Sequence, residues 1–462
     1  MAIQTLLTNL SKLYNVENMY YGPSSVVPPY YTRSDSFYCF LASVDPWVDG
    51  DENPPIPRQD QQYVKQLMKN VFVMKKIQSG DISPVIQRID WTSGTVYEYY
   101  QDNINMSALD NQGFLVNEFY VKNKYDQVFK CLWNAGGFES TVEPYFEPGS
   151  YQTNNLFFGS DGYKWKYIYT IDNGLKVKFM DRSWMPVPIG IGYIPNPLLN
   201  PNNLKTPAGI GNIDVVNVTE GGEGYDTSKA TVTISITGDG SGAAASAIVA
   251  NGMIQDIVIT NPGTNYSYAN VSIISDLGSG AKAIAPASPV GGHGLDPVSE
   301  LGCSNVMLTC QFDGSENEYI PTDITYYQLG IVINPISKSS SPYPANGAIY
   351  KTSTNLVVAP GFGAYVSDEF IYQGSSLENS TFSAKIVSFD PASDVISTIN
   401  TQGTPTQNDP IFGNSSRTAR TLLSFNVPDL LTQSGYPVFI ENRSGIQRSS
   451  DGIEQFKVVL SY

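Results

Sequence analysis

Near the middle of the chain a segment of about forty residues is written twice. One copy opens Ile213-Asp214-Val215-Val216-Asn217-Val218-Thr219-Glu220-Gly221-Gly222-Glu223-Gly224-Tyr225, the other Ile254-Gln255-Asp256-Ile257-Val258-Ile259-Thr260-Asn261-Pro262-Gly263-Thr264-Asn265-Tyr266. Downstream, Ala230-Thr231-Val232-Thr233-Ile234 returns as Ala269-Asn270-Val271-Ser272-Ile273, and Gly240-Ser241-Gly242-Ala243-Ala244-Ala245 as Gly278-Ser279-Gly280-Ala281-Lys282-Ala283. Each copy reads as a strand, a Gly-rich turn ending in Tyr, a second strand, another Gly turn and an alternating strand of small residues. Inert β units set inside a longer chain point to a structural or binding protein rather than a compact enzyme.

The 462 residues exceed one ordinary core, so roughly two to four domains are expected. Charged residues make up only 15% of the chain, against about a quarter in typical globular proteins. Its polar surface therefore rests on Asn, Ser, Thr, Gln and Tyr. The 30 tyrosines suit either protein interfaces or the packing of strands. A net charge of −16 repels phosphate backbones and anionic membranes, which argues against nucleic-acid and membrane partners. The densest basic run, Lys65, Lys69, Lys75 and Lys76, reads as a solvated face. No basic leader, small-residue cleavage site or long apolar run is seen, so the expectation is a chain neither secreted by the usual route nor membrane-spanning. Cys39, Cys131, Cys303 and Cys310 form no CxxC pair and read as reduced, buried thiols.

The fold class expected is mainly β with a minor α+β part, multidomain, with a parent domain interrupted by two inserted all-β modules. Residues 8 to 21 and Asp60 to about Asn70 read as helices. Phe37 to Val44, Val71 to Ile77, Val96 to Tyr100, Glu118 to Trp133, Tyr163 to Ile171 and Tyr327 to Ile333 read as strands. The core then occupies 1–205, 291–345 and 425–462, the duplicated module 206–290, and a small barrel or sandwich 346–424.

Catalytic constellations find little footing. The two Gly-Ser-Gly-Ala segments satisfy a loose GxGxxA, but a pyrophosphate site needs a helix after the glycines, and here a strand pattern follows. His293 is the sole histidine. A Cys/His pair with Cys303 or Cys310, oriented by Asp296, has no helix signal to hold a thiolate, and a loop histidine that contacts a neighbour is expected. Glu139, Glu143 and Glu147 would align on a helix, which Pro144 and Pro148 oppose. Asp49, Asp51 and Glu52 lack the EF-hand spacing. No catalytic residue, cofactor or metal site is expected.

Five segments in one order carry a resemblance: Asp45-Pro46-Trp47, Val85-Ile86-Gln87-Arg88-Ile89-Asp90-Trp91, Asp161-Gly162-Tyr163-Lys164-Trp165-Lys166-Tyr167, Ile333-Asn334-Pro335 and Glu441-Asn442-Arg443. Together the chain resembles the gene-product-eight baseplate wedge subunits of T-even-like contractile-tailed phages, over about three-fifths of its length (roughly 1 to 205, 296 to 340 and 425 to 462). The two β inserts are similar to elaborations in phages of cyanobacteria. The resemblance implies a non-enzymatic virion protein of the tail baseplate, assembled in the host cytoplasm. It also implies a homodimer that joins the wedge subunits from genes six, seven and ten. Aromatics in linking segments, Tyr30, Tyr31, Trp47 and Trp184, are the candidate partner contacts. The rivals are a receptor- or glycan-binding tail protein and a polysaccharide-degrading enzyme, the latter needing two carboxyl groups about 5 to 9.5 Å apart.

Overall fold

A computed structural model describes residues 9–21, 35–110, 113–147, 155–189, 211–316, 324–339, 341–431, 433–449 and 451–462. The chain is mainly β and divides into two units. One comprises Met1–Tyr20, Ser83–Met307 and Val459–Tyr462, the other Tyr21–Ile82 and Leu308–Val458.

In the first unit, an antiparallel sheet takes the order Tyr120–Lys122, Gln127–Asn134, Tyr163–Thr170, Leu156–Phe158. The period-two alternation of Tyr163-Lys164-Trp165-Lys166-Tyr167 gives it two chemically different faces. On one, Tyr163 stacks on Trp165 with ring centres 5.5 Å apart, and Phe129 meets Tyr167 edge-on. On the other stand Lys130, Lys164 and Lys166, all buried. Glu118–Trp133, expected as one strand, is broken at Asn123–Asp126. There the Asn123 carboxamide oxygen accepts the Tyr125 and Gln127 N–H groups, and Asp126 takes φ 60°. Val96–Tyr100 forms no regular strand; its backbone bonds go to scattered partners, Glu118, Cys131 and the Tyr163 hydroxyl. Val85–Gln87 pair with Trp184–Pro186.

The duplicated module exchanges strands between its copies. The third strand of the first copy, Ser241–Ala250, pairs with the first strand of the second, Met253–Thr264. Ser279–Ile284, the third strand of the second copy, returns to Asn217–Glu223 of the first. The middle strands, Val232–Gly238 and Ala269–Ser275, pair with each other. Neither copy closes alone, so the pair shares one core of Val216, Ile234, Ile254 and Ile257 with Tyr225 and Tyr266. The first Gly-rich stretch of each copy is not a turn as expected: the strands run through Gly221-Gly222 and Pro262-Gly263. Gly222 and Gly263 take φ +63° and +65°, and a Cβ on either would meet partner backbone at 2.5 and 2.6 Å.

The second unit holds a five-stranded antiparallel sheet in the order Ile349–Lys351, Val71–Ile77, Phe37–Ala42, Thr325–Ile333, Tyr436–Gln447. Helix Gln61–Asn70, capped by the Asp60 carboxylate on the Tyr63 N–H, buries Leu67 and Met68 against Tyr38, Phe40 and Val332. Six further strands between Thr354 and Asn426 close into a barrel. Its inward residues Leu356, Ile371, Phe382, Ile386, Ile396, Ile411 and Leu422 are wholly buried. Closure leaves the barrel no free sheet edge.

Candidate functional site

Three buried lysines on one sheet face require acids, because an isolated buried ammonium is costly. The duplicated module and its flanks supply them. Lys164 Nζ bonds Asp256 at 2.8 Å and the Val216 carbonyl at 2.9 Å. Lys166 Nζ bonds Asp214 Oδ2 at 2.7 Å. Lys130 Nζ bonds Glu300 Oε1 at 2.9 Å and lies 3.5 Å from the centre of the Tyr100 ring. Asn217 adds a bond from its carboxamide to the Leu132 carbonyl. The lysine face of the sheet is thus the seat on which the module is held.

His293 belongs to this seat and is buried. Its Nδ1 lies 2.5 Å from Glu300 Oε1, so the Nδ1–H donates to the carboxylate, while the Gly294 N–H donates to Glu300 Oε2 at 2.6 Å. Burial, then the Lys130 charge, lowers the imidazole pKa, which keeps His293 neutral. Burial alone would raise the Glu300 carboxyl, but Lys130, His293 and the Gly294 N–H outweigh it and hold the group below the usual carboxylate range. The cluster is therefore one cation, one anion and one neutral donor. The partner of His293 is Glu300 rather than a cysteine; the Cys303 thiol donates to the carbonyls of Val85 and Asn305, and burial pushes it up to about 12, so no thiolate is offered.

Four of the five resemblance segments meet at two junctions, each inside one unit, while the fifth, at Asn334, ties to Asp35 and Ser36. In the first unit, the Trp91 indole donates to Ser140 Oγ at 3.0 Å. Asp161 Oδ2 accepts from the same hydroxyl and from the N–H groups of Thr141 and Val142. In the second unit, the Trp47 indole donates to the Arg443 carbonyl at 2.6 Å, with its ring edge-on to Tyr327. Asn442 Oδ1 accepts from the Tyr63 hydroxyl and Gln328 Nε2, and its Nδ2 donates to the Pro55 carbonyl. Asn334 Oδ1 accepts the Ser36 N–H at 2.8 Å, and its Nδ2 donates to Asp35 at 2.6 Å. The polar atoms of these segments tie distant loops to strands.

Of the candidate contact aromatics, Trp47 is half-buried at its junction, and Trp184 is half-buried against Val85, Phe179 and Met307. Tyr30 and Tyr31 lie outside the described residues. Glu139, Glu143 and Glu147 lie on no helix; Glu143 pairs with Lys124, and Glu147 accepts from the Tyr145 hydroxyl. Strands begin at Ser241 and Ser279, so no helix follows either GxGxxA. All four cysteines are free and buried. Among the described residues no group of three or more His, Cys, Asp or Glu is arranged to hold a metal, and no helix is long and apolar enough to cross a membrane.

Sequence reasoning missed the lysine seat. Its signal was the alternation of aromatics and lysines from Tyr163 to Tyr167, since a strand with one aromatic and one cationic face, both buried, demands acids from elsewhere. No family model matches the chain, and no curated protein matches it significantly.

Proposed function

We propose that this chain is a structural, non-catalytic subunit of a phage tail baseplate wedge, dimerising and binding other wedge subunits as the contractile tail assembles. The observation that carries the reading is the Trp47–Arg443 bond, which joins the first and last of five resemblance segments across 396 residues of sequence. Segments that match in order, and whose polar atoms serve as structural ties, fit a particle component whose task is shape. The inserted β modules fit the same role, adding surface without adding chemistry. Its partners are then a second copy and the wedge subunits from genes six, seven and ten, and its place is the virion baseplate. Light scattering after size-exclusion chromatography tests this. A two-chain species that grows on addition of those subunits is expected; a three-chain species indifferent to them overturns the reading.

One observation favours a receptor- or glycan-binding tail protein instead. A cleft of about 600 Å³ in the first unit is lined by Trp133, Phe138 and Phe158 together with Thr219, Gln255 and Asp256. Aromatic planes beside amide, hydroxyl and carboxylate groups are what a sugar ring needs. Calorimetric titration with host envelope glycans, with Trp133→Ala as control, decides it.

A further inference from the structure

Lys166 differs from the other two lysines of the seat in what its acid also holds. Asp214 Oδ2 accepts from Lys166 Nζ at 2.7 Å, while Asp214 Oδ1 accepts from Asn212 Nδ2 at 2.5 Å. One carboxylate therefore grips an amine and a carboxamide at once. The Asn212 carbonyl is also engaged: the Ser288 hydroxyl donates to Oδ1 at 2.6 Å. Ser288 is fixed in turn, since its Oγ accepts the Asn212 N–H at 2.9 Å and its own N–H donates to the Asn212 carbonyl at 3.0 Å. The Lys166 side chain is 10% exposed and that of Asp214 8%. By contrast, Asp256 under Lys164 also accepts the Ile257 N–H, and Glu300 under Lys130 holds an imidazole. Amine, carboxamide, shared carboxylate and a hydroxyl on the carbonyl oxygen come together only at Lys166 within the seat.

We propose that Lys166 and Asn212 join in an isopeptide bond, formed by the folded chain on itself. Asp214 takes a proton from the Lys166 ammonium, and the freed lone pair of Nζ attacks Cγ of Asn212. The carbonyl electron pair moves to Oδ1, where the Ser288 hydroxyl stabilises the developing charge. Asp214 passes its proton to Nδ2, the Cγ–Nδ2 bond breaks, and nitrogen leaves as ammonia. The new amide nitrogen gives up a second proton through the same carboxylate, and it departs with the ammonia as ammonium. A lysine ammonium and a carboxamide thus become a secondary amide and ammonium, with no oxidant or outside reactant. The amine and its base are largely shielded from water, and the shared carboxylate holds the partners together. The bond would fasten the sheet strand Tyr163–Thr170 to the start of the duplicated module, beside the Ser288 end. This goes beyond the wedge reading and does not depend on it.

The test is the intact mass of the full-length protein, folded, incubated for days at neutral pH and then denatured. The expected mass is about 17 Da below that of the sequence, one ammonia lost. Tryptic digestion should give a branched peptide joining the Lys166 and Asn212 segments, uncut after Lys166. Lys166→Arg and Asp214→Asn should each restore the full mass. The unchanged sequence mass in the wild-type protein overturns the proposal whatever the variants do. So does a loss of about 17 Da found on the Asn212 peptide alone, which is a succinimide at Asn212-Ile213 that hydrolyses to a gain of roughly 1 Da.

Discussion

Lys130 and Lys166 stand directly opposite each other on neighbouring antiparallel strands, both buried. Like charges so placed destabilise a sheet, and the pair persists because Glu300 takes one ammonium and Asp214 the other. Docking of the module and integrity of the sheet are therefore one energetic event. Neither the lysine face nor the acids can be desolvated without the other.

Glu300→Gln keeps the shape of the side chain and removes its charge, leaving the wholly buried Lys130 without its anion. Breaking a buried pair on one side costs about 3–5 kcal/mol. Lys130→Met with Glu300→Leu, which removes both charges, should cost less than Glu300→Gln alone, because no charge is stranded. Urea denaturation monitored by tryptophan fluorescence measures both. A double variant less stable than the single one would show that packing, not charge, dominates the cluster.

The same cluster sets a pH response. His293 is lowered in the folded chain, so below its unfolded value near 6.5 the unfolded chain takes a proton that the folded one refuses. Stability is complete above that pH and falls as acid is added. Glu300 is also lowered, so a second loss begins below about pH 4.3, as unfolded chains bind a proton that the folded carboxylate does not. Denaturation midpoints between pH 8 and pH 5 should fall for the wild type, and His293→Asn should flatten that slope. An equal slope in both would remove His293 as its source.

In the duplicated module, Gly240 and Gly278 occupy equivalent places. A Cβ on Gly240 would come within 2.5 Å of the Tyr266 ring, and one on Gly278 within 2.6 Å of the Tyr225 ring. Both tyrosines are buried, so neither ring has room to yield. Each Gly→Ala change should destabilise by about 1–3 kcal/mol. Hydrogen exchange read by mass spectrometry should show the loss spread over both copies, because their strands interleave. Deprotection confined to the substituted copy would contradict the exchanged pairing.

What sequence reading reached and missed follows from which forces are local. Asp60 before an amphipathic run marked its helix to within a residue, and Val71–Ile77 was legible as a strand from composition alone. The short strands of 346–424, split by turns, were legible as a barrel or a sandwich, and only their pairing decides for the closed barrel. The repeat was visible, but its pairing was not: hydrophobic period tells which face of Ser241–Ala250 is inward, not that Met253–Thr264 is its partner. The glycines at 221 and 222 misled because the same residue type that makes a turn also lets a strand pass close to its neighbour's backbone. Lys130, Lys164 and Lys166 were hidden for a different reason. A lysine's usual place is solvent, and only acids distant in sequence make burial tolerable here.

Trp47 carries two readings that stability can separate. As a partner contact it would contribute little to the free chain; as an internal anchor it ties the loop after Phe37–Ala42 to the strand Tyr436–Gln447 through the Arg443 carbonyl. Trp47→Phe retains an aromatic ring near Tyr327 but deletes the indole donor, leaving that carbonyl to find water. The expected cost is about 0.5–1.5 kcal/mol in the isolated protein, with its solution mass and, on the proposed reading, its association with wedge subunits unchanged. Chemical denaturation of the purified variant, paired with light scattering, gives both quantities. A variant as stable as the wild type that no longer associates would move Trp47 from the fold to the interface. The Trp47–Arg443 bond would then be incidental to folding.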